Sequence, residues 1–480
     1  MRSEELLAGL KTEGIKGKIS AEITDICADS RKVGKGSLFI ALKGTHDDGG
    51  KYIAAAAQAG AVAAVCEEFA PLELPQIKVK DARAAFASLC GRFFGDPAQK
   101  LKMVGVTGTN GKSTVAYLVQ QIACRCGMRC GLIGTMYISD GEKRYPALLT
   151  TPDPWELNKT LAQFVQSGCR AAVMEVSAHA LYWRKTDNIR FDIGVFTNLT
   201  RDHLDFFGDM RAYALAKRRL FAPERVKKAV INSDDEEGVR LLNCLRVPLI
   251  SYGLDNPADV FAVNIAQGEK CRYVVNDRDC LMDISSRLFG RFNVSNSLAA
   301  IACARELGLD CAKIADAMAE IEPPEGRFNV YQKDGRTFII DFAHTPDGLK
   351  NVLEQARALC SGKLTVVFGC GGDRDRSKRA IMGGIAEALA DRVVITADNP
   401  RSERREDIAA DILKGIKGEA VVIHDRPQAL EYACKAARRG DVVVIAGKGS
   451  EEYIEENNVK TPYEDKKQLM HILDEKWLSD

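Results

Sequence analysis

The run Thr107-Gly108-Thr109-Asn110-Gly111-Lys112-Ser113-Thr114 lies between an apolar strand pattern (Met103, Val104, Val106) and a helix pattern whose Val115, Leu118, Val119 and Ile122 fall at helical spacing. Backbone N–H groups of such a turn, with the helix N-terminus behind them, can hold phosphates. Lys112 would neutralise β and γ phosphates, and Ser113 would offer a hydroxyl to a magnesium ion. The strict phosphate-loop pattern wants Gly at position 106, where this chain has Val106, so the loop is a variant of it. Gly108, Thr109, Asn110, Gly111, Lys112, Ser113 and Thr114 are therefore the candidate nucleotide ligands. Glu175 ends the apolar run 171–176, where a carboxylate could complete the metal shell begun by Ser113. His203 follows the apolar run 193–197; alone, a His in that place is more often structural than a ligand. Lys217 has Arg211, Arg218 and Arg219 close by, and on residue type alone it reads as part of a solvated basic helix face.

The elements that must position these groups follow from length and pattern. A chain of 480 residues predicts about three domains. Apolar residues make up 46% and charged residues 28%, which excludes disorder and fibrous classes. Lys plus Arg (67) nearly cancels Asp plus Glu (66), so no overall pull toward nucleic acid or an anionic membrane is expected, and any anion must be bound locally. Residues 1–97 mix short strands with a helix at 52–61. From 101, apolar runs at 171–176, 193–197 and 229–232, each followed by a polar loop, predict a largely parallel sheet with ligands at the strands' carboxyl ends. After the Pro323-Pro324-Glu325-Gly326 turn, five more apolar runs at 338–341, 364–368, 392–396, 421–424 and 442–446 predict a second doubly wound unit. The expected plan is α/β with domains at 1–97, 98–329 and 330–480. The apolar stretch 53–65 is Ala-rich, broken by Gln58 and Gly60, and far short of the ~20 residues of a membrane span. Residues 1–16 carry Glu4, Glu5 and Glu13 and no signal-peptide core, so a cytoplasmic protein is expected. The 15 Cys show no paired zinc spacing and read as reduced, buried small residues.

Further strings occur in a fixed order: Glu175-Val176-Ser177-Ala178-His179-Ala180-Leu181, Thr197-Asn198-Leu199-Thr200-Arg201-Asp202-His203-Leu204-Asp205, Gly290-Arg291-Phe292-Asn293-Val294-Ser295-Asn296, Asp341-Phe342-Ala343-His344-Thr345-Pro346-Asp347 and Gly369-Cys370-Gly371-Gly372-Asp373-Arg374-Asp375. With the phosphate loop they make the chain resemble the Mur ligase family over nearly its whole length, most of all the members that add the third residue of the cell-wall peptide stem. The resemblance implies a small N-terminal α/β UDP-binding domain, a central phosphate-loop ATPase domain and a C-terminal Rossmann-like domain that carries the amino acid. It implies that ATP phosphorylates the carboxylate of a D-glutamate, that an amine attacks the acyl phosphate, and that phosphate leaves. The implied catalytic groups are Lys112, Lys217 and His203, and the implied magnesium ligands are Ser113, Glu175, His203 and a carbamylated Lys217. Asn293, Arg327 and Asp341 are implied contacts to the adenosine end; by residue type, Asn293 and Asp341 could equally be a cap and a strand-end turn.

The implied partners are UDP-MurNAc-L-Ala-D-Glu and meso-diaminopimelate, with no nucleic acid, no membrane insertion and a monomeric chain. Ser30, Thr45 and His46 are expected at the uridine diphosphate, and Thr150, Thr151, Ser177 and Lys185 at the sugar peptide, although polar loops of this kind often mark turns alone. Lys185 stands where the family has Arg, Ala178 where Ser is usual, Phe207 where His is common, and Ser450 replaces the His of Gly-Lys-Gly-His-Glu. Asp398-Asn399-Pro400-Arg401, with Arg374, Gly447 and Glu451, is implied to hold meso-diaminopimelate, because Arg401 offers a planar fork for its extra carboxylate. The alternative for that stretch is a turn with Arg401 in solvent. Three other functions compete: an L-lysine-adding ligase of the same family, a folylpolyglutamate synthetase-like enzyme, and a catalytically silent ATP-binding regulator.

Overall fold

The computed structural model describes residues 1–44 and 47–474; the expected uridine diphosphate ligands Thr45 and His46 lie outside the described residues. Three sheets succeed one another along the chain, five-stranded, eleven-stranded and six-stranded, with a separate two-stranded hairpin near the end. No described helix is long and apolar enough to cross a membrane.

The eleven-stranded sheet has Lys102–Thr107 between Phe191–Phe196 and Ala171–Glu175, all parallel. These strands are apolar at almost every position because helices cover both faces, giving one buried cluster around Val104, Val115 and Leu298 and another around Met103, Phe164 and Phe196. Parallel strands Val226–Asn232 and Leu249–Gly253 extend one side. Beyond them an antiparallel meander, Val260–Gln267, Cys271–Asp277 and Cys280–Ser286, departs from the parallel pattern. Its second and third strands alternate in burial, and its longest continuous apolar run is the four residues Val260 to Val263.

All five expected strands of the last sheet form, as Arg336–Asp341, Leu364–Phe368, Arg392–Ile395, Val421–Val422 and Val442–Ala446, in parallel, with antiparallel Asn329–Lys333 on one edge. The N-terminal sheet is parallel except for Gly14–Lys16 at its edge. The expected helix near 52–61 spans Ile53–Gln58, preceded by a 3-10 turn whose start is capped by Asp48. The cysteine reading needs two corrections. Not all are buried, since Cys244 is exposed and Cys124, Cys126 and Cys360 are half-buried, and Cys280 is bonded to Cys311, 31 residues on, because the strand beginning at 280 meets the helix Cys311–Glu320.

Candidate active site

Strand register sets the site. Val106 lies opposite Glu175 and Thr107 opposite Phe196, so three strands end level and release their loops side by side. Gly108 has φ 152°, and a Cβ there would fall 1.8 Å from Thr197 Oγ1; Gly111 has φ 85°, and a Cβ would fall 2.5 Å from Asn296 Oδ1. Only glycine fits both turns. The neighbouring loop braces this one: Asn110 N donates to Asn198 Oδ1 at 2.9 Å and Thr109 Oγ1 to Thr200 O at 3.1 Å.

Lys112 starts the helix Lys112–Arg125 and folds back, its Nζ donating to Gly108 O at 3.0 Å and Thr109 O at 2.8 Å. Burial lowers its pKa, with Glu175 and Asp202 pulling the other way. Glu175 is 1% exposed, and its carboxylate accepts from Ser113 Oγ (2.9 Å), Thr135 N (2.7 Å) and Thr135 Oγ1 (3.2 Å). Three donors satisfy the oxygens of this carboxyl group buried at a strand end. Arg327 reaches across from the far side, Nη2 donating to Ser113 Oγ at 3.1 Å while its guanidinium lies 4.5 Å over Phe342. Next to it Asp341 accepts from Phe328 N at 2.7 Å; burial pushes its carboxyl up to about 6 against the pull of Arg327.

A second wall comes from the loop after Phe191–Phe196. His203 holds a left-handed backbone, φ 56°, a strain of about 1–3 kcal/mol that marks functional positions more often than others. Its Nε2 is 3.3 Å from Asp202 Oδ2, and its ring meets His179 at 4.7 Å, edge to face. Burial pushes both histidines below their ordinary value, leaving neutral rings with a lone pair to offer. Burial would raise Asp202, but Lys378 and the backbone N–H of His203 act against it and its carboxyl lies below the ordinary value. Lys217 is 2% exposed, which overturns the solvated-face reading: on helix Met210–Arg218 the exposed residues Arg211 and Leu215 face out, while Tyr213, Ala214, Ala216 and Lys217 form the buried face. Its Nζ donates to Gly108 O at 2.7 Å, and burial, aided by Lys112, holds its pKa well below 10.5.

The third wall stands at the carboxyl ends of the six-stranded sheet. Arg401, also left-handed (φ 53°), donates from Nη1 to Gly372 O at 2.7 Å and pairs with Glu455 at 3.4 Å; it faces the cleft, so the solvent-facing turn is excluded. Asn399 Nδ2 donates to Glu451 Oε2 at 2.8 Å. One cleft of about 700 Å³ is lined from both sheets, with Lys112, Glu175 and His203 on one side and Arg374, Asp398 and Arg401 on the other. Polar ties cross it: Asn110 Nδ2 to Asp347 at 3.0 Å, Arg201 Nη2 to Ser377 Oγ at 2.7 Å, and Lys378 to Asp202 at 3.8 Å.

Comparison with known proteins matches residues 22–94 to the Mur ligase family catalytic domain, 106–304 to the Mur ligase middle domain and 326–449 to the Mur ligase glutamate ligase domain. A UDP-N-acetylmuramoyl-L-alanyl-D-glutamate--2,6-diaminopimelate ligase from Geobacillus kaustophilus is 42% identical over 446 residues, 90% of this chain and 91% of the relative. The chain belongs to the Mur ligase family. A solved structure titled as the same kind of ligase superposes with TM-score 0.71 at 32% identity, covering 99% of both chains. Mycobacterium tuberculosis folylpolyglutamate synthase shares the fold at TM-score 0.64 and 20% identity, over 76% of this chain and 92% of that one.

Of the family-implied residues, the cleft is lined by Thr109 to Thr114, Glu175, His203, Arg327 and Asp341, and by Thr150, Ser177, Arg374, Asp398, Asn399, Arg401, Gly447 and Glu451. Lys217 and Gly108 stand just behind that lining, joined to each other. Five residues are placed elsewhere. Asn293 is buried with its amide on Phe289 O at 2.8 Å, and Asn296, one turn on, reaches the cleft instead. Thr151 is buried and donates to Glu175 O at 2.9 Å. Lys185 is paired with Asp153 at 2.8 Å. Pro400 is absent from the lining and turns the chain, its carbonyl accepting from Glu403 N at 3.0 Å. Ser30 opens a 3-10 turn capped by Asp29 on the N-terminal sheet. Thr135, Asp202, His344 and Lys378 also belong to the site; Asp202 and His344 lie inside the motifs and Lys378 three residues beyond Asp375, whereas nothing in sequence marks Thr135, which only the fold brings to Glu175.

Proposed function

We propose that this chain is an ATP-dependent ligase that adds meso-diaminopimelate to UDP-MurNAc-L-Ala-D-Glu through an acyl phosphate. The observation that carries the reading is the single cleft in which the phosphate loop faces Arg374, Arg401 and Glu451. ATP phosphates would lie along the N–H groups of 108–114 with Lys112 against them. Ser113 and Glu175 are a hard oxygen pair, suited to Mg2+, which when bound neutralises phosphate charge. For a second ion His203 offers a neutral nitrogen; Lys217 fits only as a carbamate, because its amine is a donor to Gly108 O. Arg327, beside Ser113, stands where charge moves as the γ-phosphoryl group passes to the substrate carboxylate. The amine then attacks the acyl carbon, phosphate departs with the bonding pair, and the new amide nitrogen gives up a proton.

Arg401 and Arg374 supply cations for the carboxylate that distinguishes diaminopimelate from lysine, and Glu451 an acceptor for the distal ammonium. Lysine has no carboxylate to meet these guanidinium groups and forgoes a charge-assisted hydrogen bond of ~1–3 kcal/mol. The domains of this reading are 1–97 for the UDP end, 98–329 for ATP and 330–480 for the amino acid, in a monomeric cytoplasmic protein. The silent-regulator alternative is disfavoured because Lys112, Glu175, His203 and Lys217 are all retained. Phosphate release measured with ATP, UDP-MurNAc-L-Ala-D-Glu and each candidate amino acid tests the proposal. Release dependent on meso-diaminopimelate is expected; release with L-lysine at equal efficiency, or with a folate in place of the UDP substrate, would reject it.

A further inference from the structure

Lys448 follows Gly447 at the carboxyl end of Val442–Ala446 and is 0% exposed. A buried ammonium persists only where oxygens replace its water. Two do: Nζ donates to Glu451 Oε2 at 2.9 Å and to Asn399 Oδ1 at 3.1 Å, with the ring of Tyr453 5.7 Å away. Asn399 closes the triangle through Nδ2 to Glu451 Oε2 at 2.8 Å. Its amide can point only one way, because Oδ1 also receives Glu455 N at 2.9 Å and two donors cannot be met by an NH2 group. Both donors to Glu451 thus converge on one oxygen. Oε1 accepts from no described residue, and Glu451 lines the cleft.

We infer that Lys448 is a positioning residue for amino-acid recognition: by tying Oε2 from behind, it holds Glu451 so that Oε1 faces the cleft and receives the distal ammonium of the incoming amino acid. The inference rests on the proposed reading of Glu451 as that acceptor. Without Lys448 the carboxylate keeps one neutral donor and regains rotamer freedom, so an ammonium must order it at the moment of binding. A ligand lacking the distal ammonium never uses Oε1, and its affinity is independent of Lys448. That difference separates positioning from general support of the fold.

The test is steady-state phosphate release by the full chain and by Lys448→Met, with meso-diaminopimelate and with 2-aminopimelate, which lacks the distal amine. Lys448→Met is expected to raise KM for meso-diaminopimelate at least tenfold, to change KM for 2-aminopimelate less than twofold, and to leave KM for ATP and kcat within threefold. Lys448→Gln, which keeps a donor of similar reach, carries the same comparison should the Met variant not fold, and is expected to fall between it and the wild type. Equal losses for both amino acids, or a KM for ATP that rises in step, would overturn the role of Lys448 alone. A wild type that does not distinguish the two amino acids would instead remove Glu451 as the ammonium acceptor, and the inference with it.

Discussion

Asp341→Asn should stabilise the ligand-free protein while impairing it as an enzyme. Asp341 is buried, and its carboxyl has moved from 3.8 to about 6, because burial outweighs the attraction of Arg327. At about 1.4 kcal/mol per pKa unit, that gap corresponds to about 3 kcal/mol. Below 3.8 the group is protonated in folded and unfolded chains alike and contributes nothing. Between 3.8 and about 6 the unfolded chain releases its proton while the folded one keeps it, so stability falls as pH rises, and above about 6 the whole penalty is in place. The Arg327 cation is present on both sides of this titration, so its attraction is already counted. Asn keeps an oxygen for Phe328 N and cannot ionise. The variant should therefore melt higher than the wild type by roughly 5–10 °C at pH 8, in the transition of the sheet that carries it, and by much less at pH 4.5. Differential scanning calorimetry at the two pH values, with ATP titrations beside it, reads both effects; ATP affinity should drop. A variant less stable than wild type at pH 8, or a shift equal at both pH values, would refute the reasoning.

Gly108→Ala should abolish ATP binding by calorimetric titration, since its Cβ would meet Thr197 Oγ1 at 1.8 Å; affinity within twofold of wild type would contradict the phosphate-loop assignment. Lys217→Ala should end ligation while ATP affinity stays within a few-fold, with partial recovery on adding short carboxylic acids, and full activity without them would rule out a carbamate. Arg401→Ala should raise KM for meso-diaminopimelate about 5- to 150-fold, the equivalent of ~1–3 kcal/mol; an undiminished preference over L-lysine would count against the pocket.

Four strands of the eleven-stranded sheet and five of the six-stranded one were readable because each is a short continuous apolar run, the mark of a strand buried on two faces. The meander 260–286 was not, since alternation on a half-exposed sheet resembles a polar loop to the same eye. Site residues that chemistry alone demands, such as Lys112 and Ser113, were legible at once. Lys217 was not: its sequence neighbours are cations, and only the helical phase, with Tyr213 and Ala216 on the same face, turns it inward. Asn293 and Asn296 illustrate the converse, since they stand one turn apart in the same string and only packing decides which of them meets the cleft. Thr135 had no signal at all, because its role is a backbone N–H brought to Glu175 by a parallel strand pairing.

The ties that span the cleft, Asn110 to Asp347, Arg201 to Ser377 and Lys378 to Asp202, are each between groups that water satisfies as readily as the protein does. Parting the walls also draws Phe289 and Phe292 off the C-terminal core, a small apolar area beside the whole interior that melting any sheet exposes. Opening and melting are thus energetically separate events, and products can depart through a motion that leaves every sheet intact. Ionic strength acts on the first of these and hardly on the second, so salt becomes a means of tuning how fast the enzyme breathes without altering how long it survives.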